Sequence, residues 1–182
     1  MKSIALFFII ANVATGYNSC HEKRTFIVWD EYRKLKISDF KGEVKKRSWY
    51  GGASTIKMKF TYTVDITLKK SQAVCVFSKE ESWLLDTSAY AINHEQKHFD
   101  IGEIATRLFR KNILDIRPII NRANYKILDS IYRSYGEVMA KLELEYDSAT
   151  NHGLDTINQK HWDLKIRNEL DSLRNYASPT FK

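Results

Sequence analysis

Residues His94-Glu95-Gln96-Lys97-His98 place two imidazoles four positions apart with a carboxylate between them. On an α-helix such positions lie about 40° from each other, so both rings face one way and can grip a single ion. Glu95, one step round, is set to act on water at that ion rather than on the ion itself. Zinc suits the arrangement: it takes neutral imidazole nitrogen, and a catalytic site keeps one position open for water whose pKa the ion lowers. The spacing therefore describes metal-assisted hydrolysis, with His94 and His98 as Zn2+ ligands and Glu95 as general base. The competing reading is a solvated helix face, on which His, Glu, Gln and Lys are ordinary.

A catalytic zinc site needs a third protein donor. Asp100 lies about 240° round the helix from His94 and Glu103 about 180°, so neither reaches an ion held by the 94/98 face. The other histidines are His21, His152 and His161. His152 falls in a polar turn, Tyr146 to Gly153, between two helical patterns, where a loop can present a side chain to a neighbouring helix. It is the preferred third ligand, with Glu143, Asp147 and Tyr146 as substitutes. His161, beside Trp162, reads as surface or core.

Four separated segments carry a resemblance: Arg33 to Gly42 (RKLKISDFKG), His94 to Arg107 (HEQKHFDIGEIATR), Tyr146-Asp147 with Thr150-Asn151-His152-Gly153, and Gln159 with Trp162. Together they resemble a bacterial domain-of-unknown-function family described as secreted zinc-dependent proteases. The first segment departs from that pattern in having Ile37 where a Trp is usual. The resemblance implies a zinc site in which the later T-x-H-G turn supplies a histidine, here His152.

The elements that must position these residues read as strands first and helices later. Thr25 to Trp29, Ile56 to Leu68 and Ala73 to Phe77 are rich in β-branched and aromatic residues, the last two forming a hairpin. Helical periodicity runs from Asp86 to Leu114, with Asp86 or Thr87 as N-cap and a core stripe of Ala89, Ile92, Phe99, Ile101, Ile104, Ala105, Leu108 and Phe109. Further helices are expected from Pro118 to Leu144 and from Asp155 to Tyr176. The fold class is α+β, a small antiparallel β-sheet followed by a helical bundle that carries the motif helix, a zincin-like arrangement. A sheet edge near that helix could hold an extended peptide by strand addition. Glu103 and Arg107, four apart, read as a helix-surface ion pair; Trp162 as a core anchor; Gln159 as the partner that fixes the His152 loop; and Tyr146 as an oxyanion stabiliser.

Of 182 residues, 1–16 read as a signal peptide, with Lys2, an apolar run from Ile4 to Val13 and the small residues Ala14 and Gly16. Residues 17–182 then form a single domain, secreted or periplasmic, or a lipoprotein anchored through Cys20. Cys20 and Cys75 are either one disulfide or two thiols. Net charge is +7, or +6 once Lys2 leaves with the signal peptide, spread with acids interspersed and without a nucleic-acid motif. The charge raises the question of nucleic acid, the missing motif argues against it, and an anionic envelope surface or an acidic substrate is the expected partner, with solubility alone as the other explanation. The expected function is an exported zinc-dependent metallopeptidase, a monomer acting on a peptide or protein substrate. The alternatives are a non-catalytic zinc-binding envelope interaction domain and an amidase on cell-wall peptide.

Overall fold

A computed structural model describes residues 25–44, 51–62, 71–121 and 124–181. The signal peptide and Cys20 lie outside them, as does the second half of the expected strand from Ile56 to Leu68. Among the described residues no helix is long and apolar enough to cross a membrane.

Three strands, β1 (Phe26–Val28), β3 (Ile56–Thr61) and β4 (Gln72–Ser78), form an antiparallel sheet in the order β1-β4-β3. The expected hairpin is present, with Ile56 opposite Phe77 and Thr61 opposite Gln72. Two very short strands, β2 (Gly52–Ala53) and β5 (Trp83–Leu84), pair separately. Two-residue strands carry too little alternation to be read from sequence.

The motif helix, α1 (Ala89–Ile116), is capped by Ser88 rather than by Asp86 or Thr87: the Ser88 hydroxyl accepts from the Ala91 N–H. Asp86 instead accepts from the Ser88 N–H, shaping the approach. Every residue from Phe99 to Arg107 is buried, so α1 is central rather than amphipathic. Phe99 faces Ile27, Cys75 and Phe77 of the sheet. Ala105, Phe109 and Ile113 meet Met58, Phe60, Leu128 and Met139. Ile101 and Ile104 meet Tyr146, Ile166 and Leu173. A Cβ on Gly102 would stand 2.4 Å from Ile56 and 2.8 Å from Cys75, so glycine sets how closely helix and sheet approach. Cys75 is a buried free thiol.

Pro118 does not open the second helix. It sits in a 3-10 turn, Arg117–Ile119, and α2 runs Ile127–Thr150. The stretch from Tyr146 to Thr150 is therefore the last helical turn and a half, and the turn proper is Asn151, His152 and Gly153, all with positive φ. Thr150 Oγ1 donates to the Tyr146 carbonyl at 2.8 Å, so its buried hydroxyl is satisfied within the last turn of the helix. The third helix, α3 (Thr156–Ser172), is capped by Asp155 and followed by a separate 3-10 turn, Arg174–Tyr176.

Glu103 and Arg107 are not a surface pair. Glu103, Arg107 and Arg110 are 2%, 4% and 3% exposed, and both guanidiniums bond the one carboxylate, at 2.9 and 2.8 Å. Arg107 also reaches the Leu170 carbonyl and Arg110 those of Ala73 and Tyr176, so the cluster ties α1 to β4 and the chain's last turns.

Candidate metal centre

One turn of α1 presents His94 and His98 to the last full turn of α2. Their Nε2 atoms stand 3.4 and 3.1 Å from the same oxygen, Asp147 Oδ1. Donor atoms around one tetrahedral zinc are about 3.4 Å apart, given zinc–ligand bonds of about 2.0–2.1 Å. His94, His98 and Asp147 thus form a cluster with metal-ligand spacing, the donor set of two imidazoles and one carboxylate that zinc accepts. The motif face is not solvated surface: His94, Glu95 and Gln96 are 7%, 5% and 5% exposed.

The structure puts His152, the ligand preferred from sequence, one step further out. Its Nδ1 is 3.4 Å from the other oxygen, Asp147 Oδ2, and its side chain is a quarter exposed. Asp147 lies between His152 and the pair of ring nitrogens. The helical register of α2 explains this: Glu143, Asp147 and Thr150 share one face, a fact hidden when residues after 144 are read as a turn. Among the described residues the cluster consists of the two motif histidines and Asp147.

Glu95 lies beside the ligands and against β2, where a Cβ on Gly52 would come within 3.0 Å of Glu95 Oε1. Its Oε2 is buried and has no hydrogen-bond partner. A buried carboxylate oxygen left unpaired is costly, which makes this atom a candidate for contact with a bound water or ion.

Electrostatics bind the group together. Burial opposes a charged His98, but the hydrogen bond and charge of Asp147 outweigh it and push its pKa up to about 9. Asp147 resists protonation despite burial, because both imidazoles bond it, and its pKa lies well below the usual carboxylate range. Glu143, half-buried one turn before Asp147, is pushed up to about 7 by burial and by the negative charges of Asp147 and Glu95, with His98 opposing.

Behind the ligands stands a buried polar group. Tyr146, fully buried, lays its ring over that of His94 at 4.9 Å and sets its hydroxyl 2.9 Å from His94 Nδ1. Gln159 Oε1 is 3.0 Å from the same nitrogen. Gln159 therefore steadies His94 and not the His152 loop. The Tyr146 hydroxyl is engaged by His94 Nδ1, on the opposite side of the imidazole from the nitrogen that meets Asp147, and by Gln159. Trp162 packs edge-on against Tyr146 at 5.5 Å, as the expected anchor. The Arg33–Gly42 segment also touches the motif: the Leu35 N–H donates to Gln96 Oε1 at 2.8 Å.

No protein-family model, curated protein or solved structure matches this chain. The resemblance to secreted zinc-dependent proteases rests on the residues that carry it.

Proposed function

We propose that the protein is an exported zinc-dependent hydrolase acting on peptide bonds, with His94, His98 and Asp147 as the metal ligands and Glu95 as general base. The observation that supports this most directly is the convergence of His94 Nε2 and His98 Nε2 on Asp147 Oδ1, beside a buried, unpartnered Glu95 oxygen. Bound zinc supplies a Lewis acid that polarises a carbonyl and makes water acidic near neutral pH. Glu95 takes a proton from the attacking water and returns it to the leaving amine. Asp147 would supply the third ligand from α2, and His152, across the carboxylate, would steady Asp147.

A polypeptide substrate is favoured by β2. The Gly51 carbonyl accepts the Leu85 N–H, and Gly52 is opposite Leu84. In an antiparallel pair this alternation turns the Gly52 N–H and C=O away from β5. Among the described residues no further strand pairs with that edge. Because Gly52 borders Glu95, a peptide extended along it would bring a scissile bond to the site. The edge next to the motif thus belongs to the small pair, not to the three-stranded sheet. An amide of cell-wall peptide would use the same groups.

The second reading, a non-catalytic zinc domain at an envelope surface, draws on Glu143. Its carboxylate, as a fourth protein ligand closing the coordination, would leave no place for water. Glu95→Gln separates the readings: with zinc retained, loss of hydrolysis of unfolded protein and peptide substrates supports catalysis. Unchanged hydrolysis would remove Glu95 as base.

A further inference from the structure

Two different segments meet β4 along the edge it turns away from β3. Val28 of β1 is opposite Val76, and Thr180, near the end of the chain, is opposite Gln72. The Trp29 N–H donates to the Cys75 carbonyl and the Ala73 N–H to that of Pro179, so the two segments stop short of each other at Val74. A cavity of about 350 Å³ opens in the gap, with α1 as its floor. That is the small end of ligand sites, which run from about 300 to 1,000 Å³.

The floor is cationic. Arg107 and Arg110 line it together with Glu103, so two buried guanidiniums share one carboxylate. Asp100, the next acid back along α1, does not balance the excess, because Lys97 pairs with it at 3.0 Å. The carbonyls of Leu170, Ala73 and Tyr176 satisfy N–H groups of the pair but carry no charge. Arg107 spends Nε on Glu103 and Nη1 on Leu170, and its Nη2 has no hydrogen-bond partner among the described residues. Buried positive charge in excess favours an anion that can accept from it. The rim has the opposite sign: Asp30 and Glu31 line the mouth and are exposed. Asp30 Oδ1 accepts the Tyr32 and Arg33 N–H groups, whereas the Arg33 guanidinium is taken by Asp39.

We propose that this cavity binds a small zwitterion of amino-acid or dipeptide size, its carboxylate inward on Arg107 and Arg110 and its ammonium outward at Asp30 and Glu31. The Trp29 ring, 5.0 Å from the Arg107 guanidinium and followed in the chain by Asp30, offers the apolar part of such a molecule a wall between floor and rim. A simple anion meets the floor but is repelled at the rim, and a simple cation meets the reverse. A molecule with both charges matches both. Glu103 and Arg107 lie round α1 from the motif histidines, so the proposal does not rest on the zinc reading.

The test titrates the purified protein with alanylalanine, its N-acetyl form, its C-terminal amide and sodium acetate, following the Trp29 indole N–H and the Arg107 Nε–H by nitrogen-edited NMR. Alanylalanine should move both signals saturably. The amide, which lacks the inward carboxylate, should bind about 10- to 100-fold more weakly. The N-acetyl form, which lacks only the ammonium at the exposed rim, should lose about 2- to 5-fold. Asp30→Asn keeps an Oδ1 for the Tyr32 and Arg33 N–H groups, so it should weaken alanylalanine by a similar factor and leave the N-acetyl form unchanged. Ala177 is exposed and makes its hydrogen bonds through the main chain, so Ala177→Trp narrows the mouth without touching the buried arginines and should abolish binding. Silence of Trp29 and Arg107 towards alanylalanine overturns the proposal. So does an amide that binds as well as the free acid, acetate that binds as tightly as the dipeptide, or undiminished binding in Ala177→Trp.

Discussion

A Cβ on residue 153 would stand 3.1 Å from both Cγ and Nδ1 of His94, so the turn after α2 closes against the first motif histidine only because Gly153 has no side chain. Its φ of 82° demands glycine independently. The Tyr90 hydroxyl, one turn before His94, bonds the Gly153 carbonyl at 2.6 Å and locks the turn to α1. Gly153→Ala should cost about 1–2 kcal/mol for the left-handed backbone and lower zinc affinity by displacing His94. A thermal melt and a zinc titration check the two effects; wild-type affinity in Gly153→Ala would show that the contact does not position the ring.

The metal-free protein should lose stability as pH rises. The folded pKa of His98, about 9, lies above its ordinary 6.5, so its contribution is whole below 6.5 and is lost through about 9. Glu143, raised from 4.5 to about 7, acts in the same direction, because its ionised form is penalised in the fold. Zinc requires deprotonated ligands, so its stabilisation should grow over the same range. Melting temperatures from about pH 5 to 9, with and without zinc, should diverge. A metal-free protein that is most stable at the alkaline end would contradict these assignments.

Glu103→Leu should destabilise by about 3–5 kcal/mol, because two buried guanidiniums lose their shared carboxylate. The pair lies on the far side of α1 from the metal centre, so zinc stoichiometry of the folded fraction should not change. Denaturant unfolding measures the first; a loss within about 0.5 kcal/mol, the range of a surface substitution, would mean that main-chain carbonyls alone satisfy Arg107 and Arg110.

If a peptide adds to β2, the Gly52 amide should gain hydrogen-exchange protection when an uncleaved peptide is added to zinc-loaded Glu95→Gln. Protection confined to α1 and α2, with none at Gly52, would place the substrate elsewhere.

The motif helix, the β3–β4 hairpin and the expectation that Asp100 and Glu103 point away from the site were legible from periodicity alone. Asp100 indeed bonds Trp29 and Lys97 instead. Asp147 was legible only as a substitute ligand, since its polar neighbours Ser148 and Thr150 read as loop, whereas α2 continues through them to Thr150 and turns only at Asn151. Burial of Glu103 with Arg107 was hidden because four-residue charge spacing is common on exposed helices, and its third member, Arg110, lies a further turn away. The part of Gln159 was half visible: its proximity to the site was, its attachment to His94 was not, because the packing of α3 on α1 is a tertiary fact.

The central claim is a zinc ion held by His94, His98 and Asp147. Elemental analysis of purified residues 17–182 should find about one zinc per chain in wild type, none in His94→Ala or Asp147→Ala, and zinc retained with weaker affinity in His152→Ala. Zinc kept in Asp147→Ala and lost in His152→Ala would give the third place to His152; a wild type that takes up no zinc would contradict the metal centre itself.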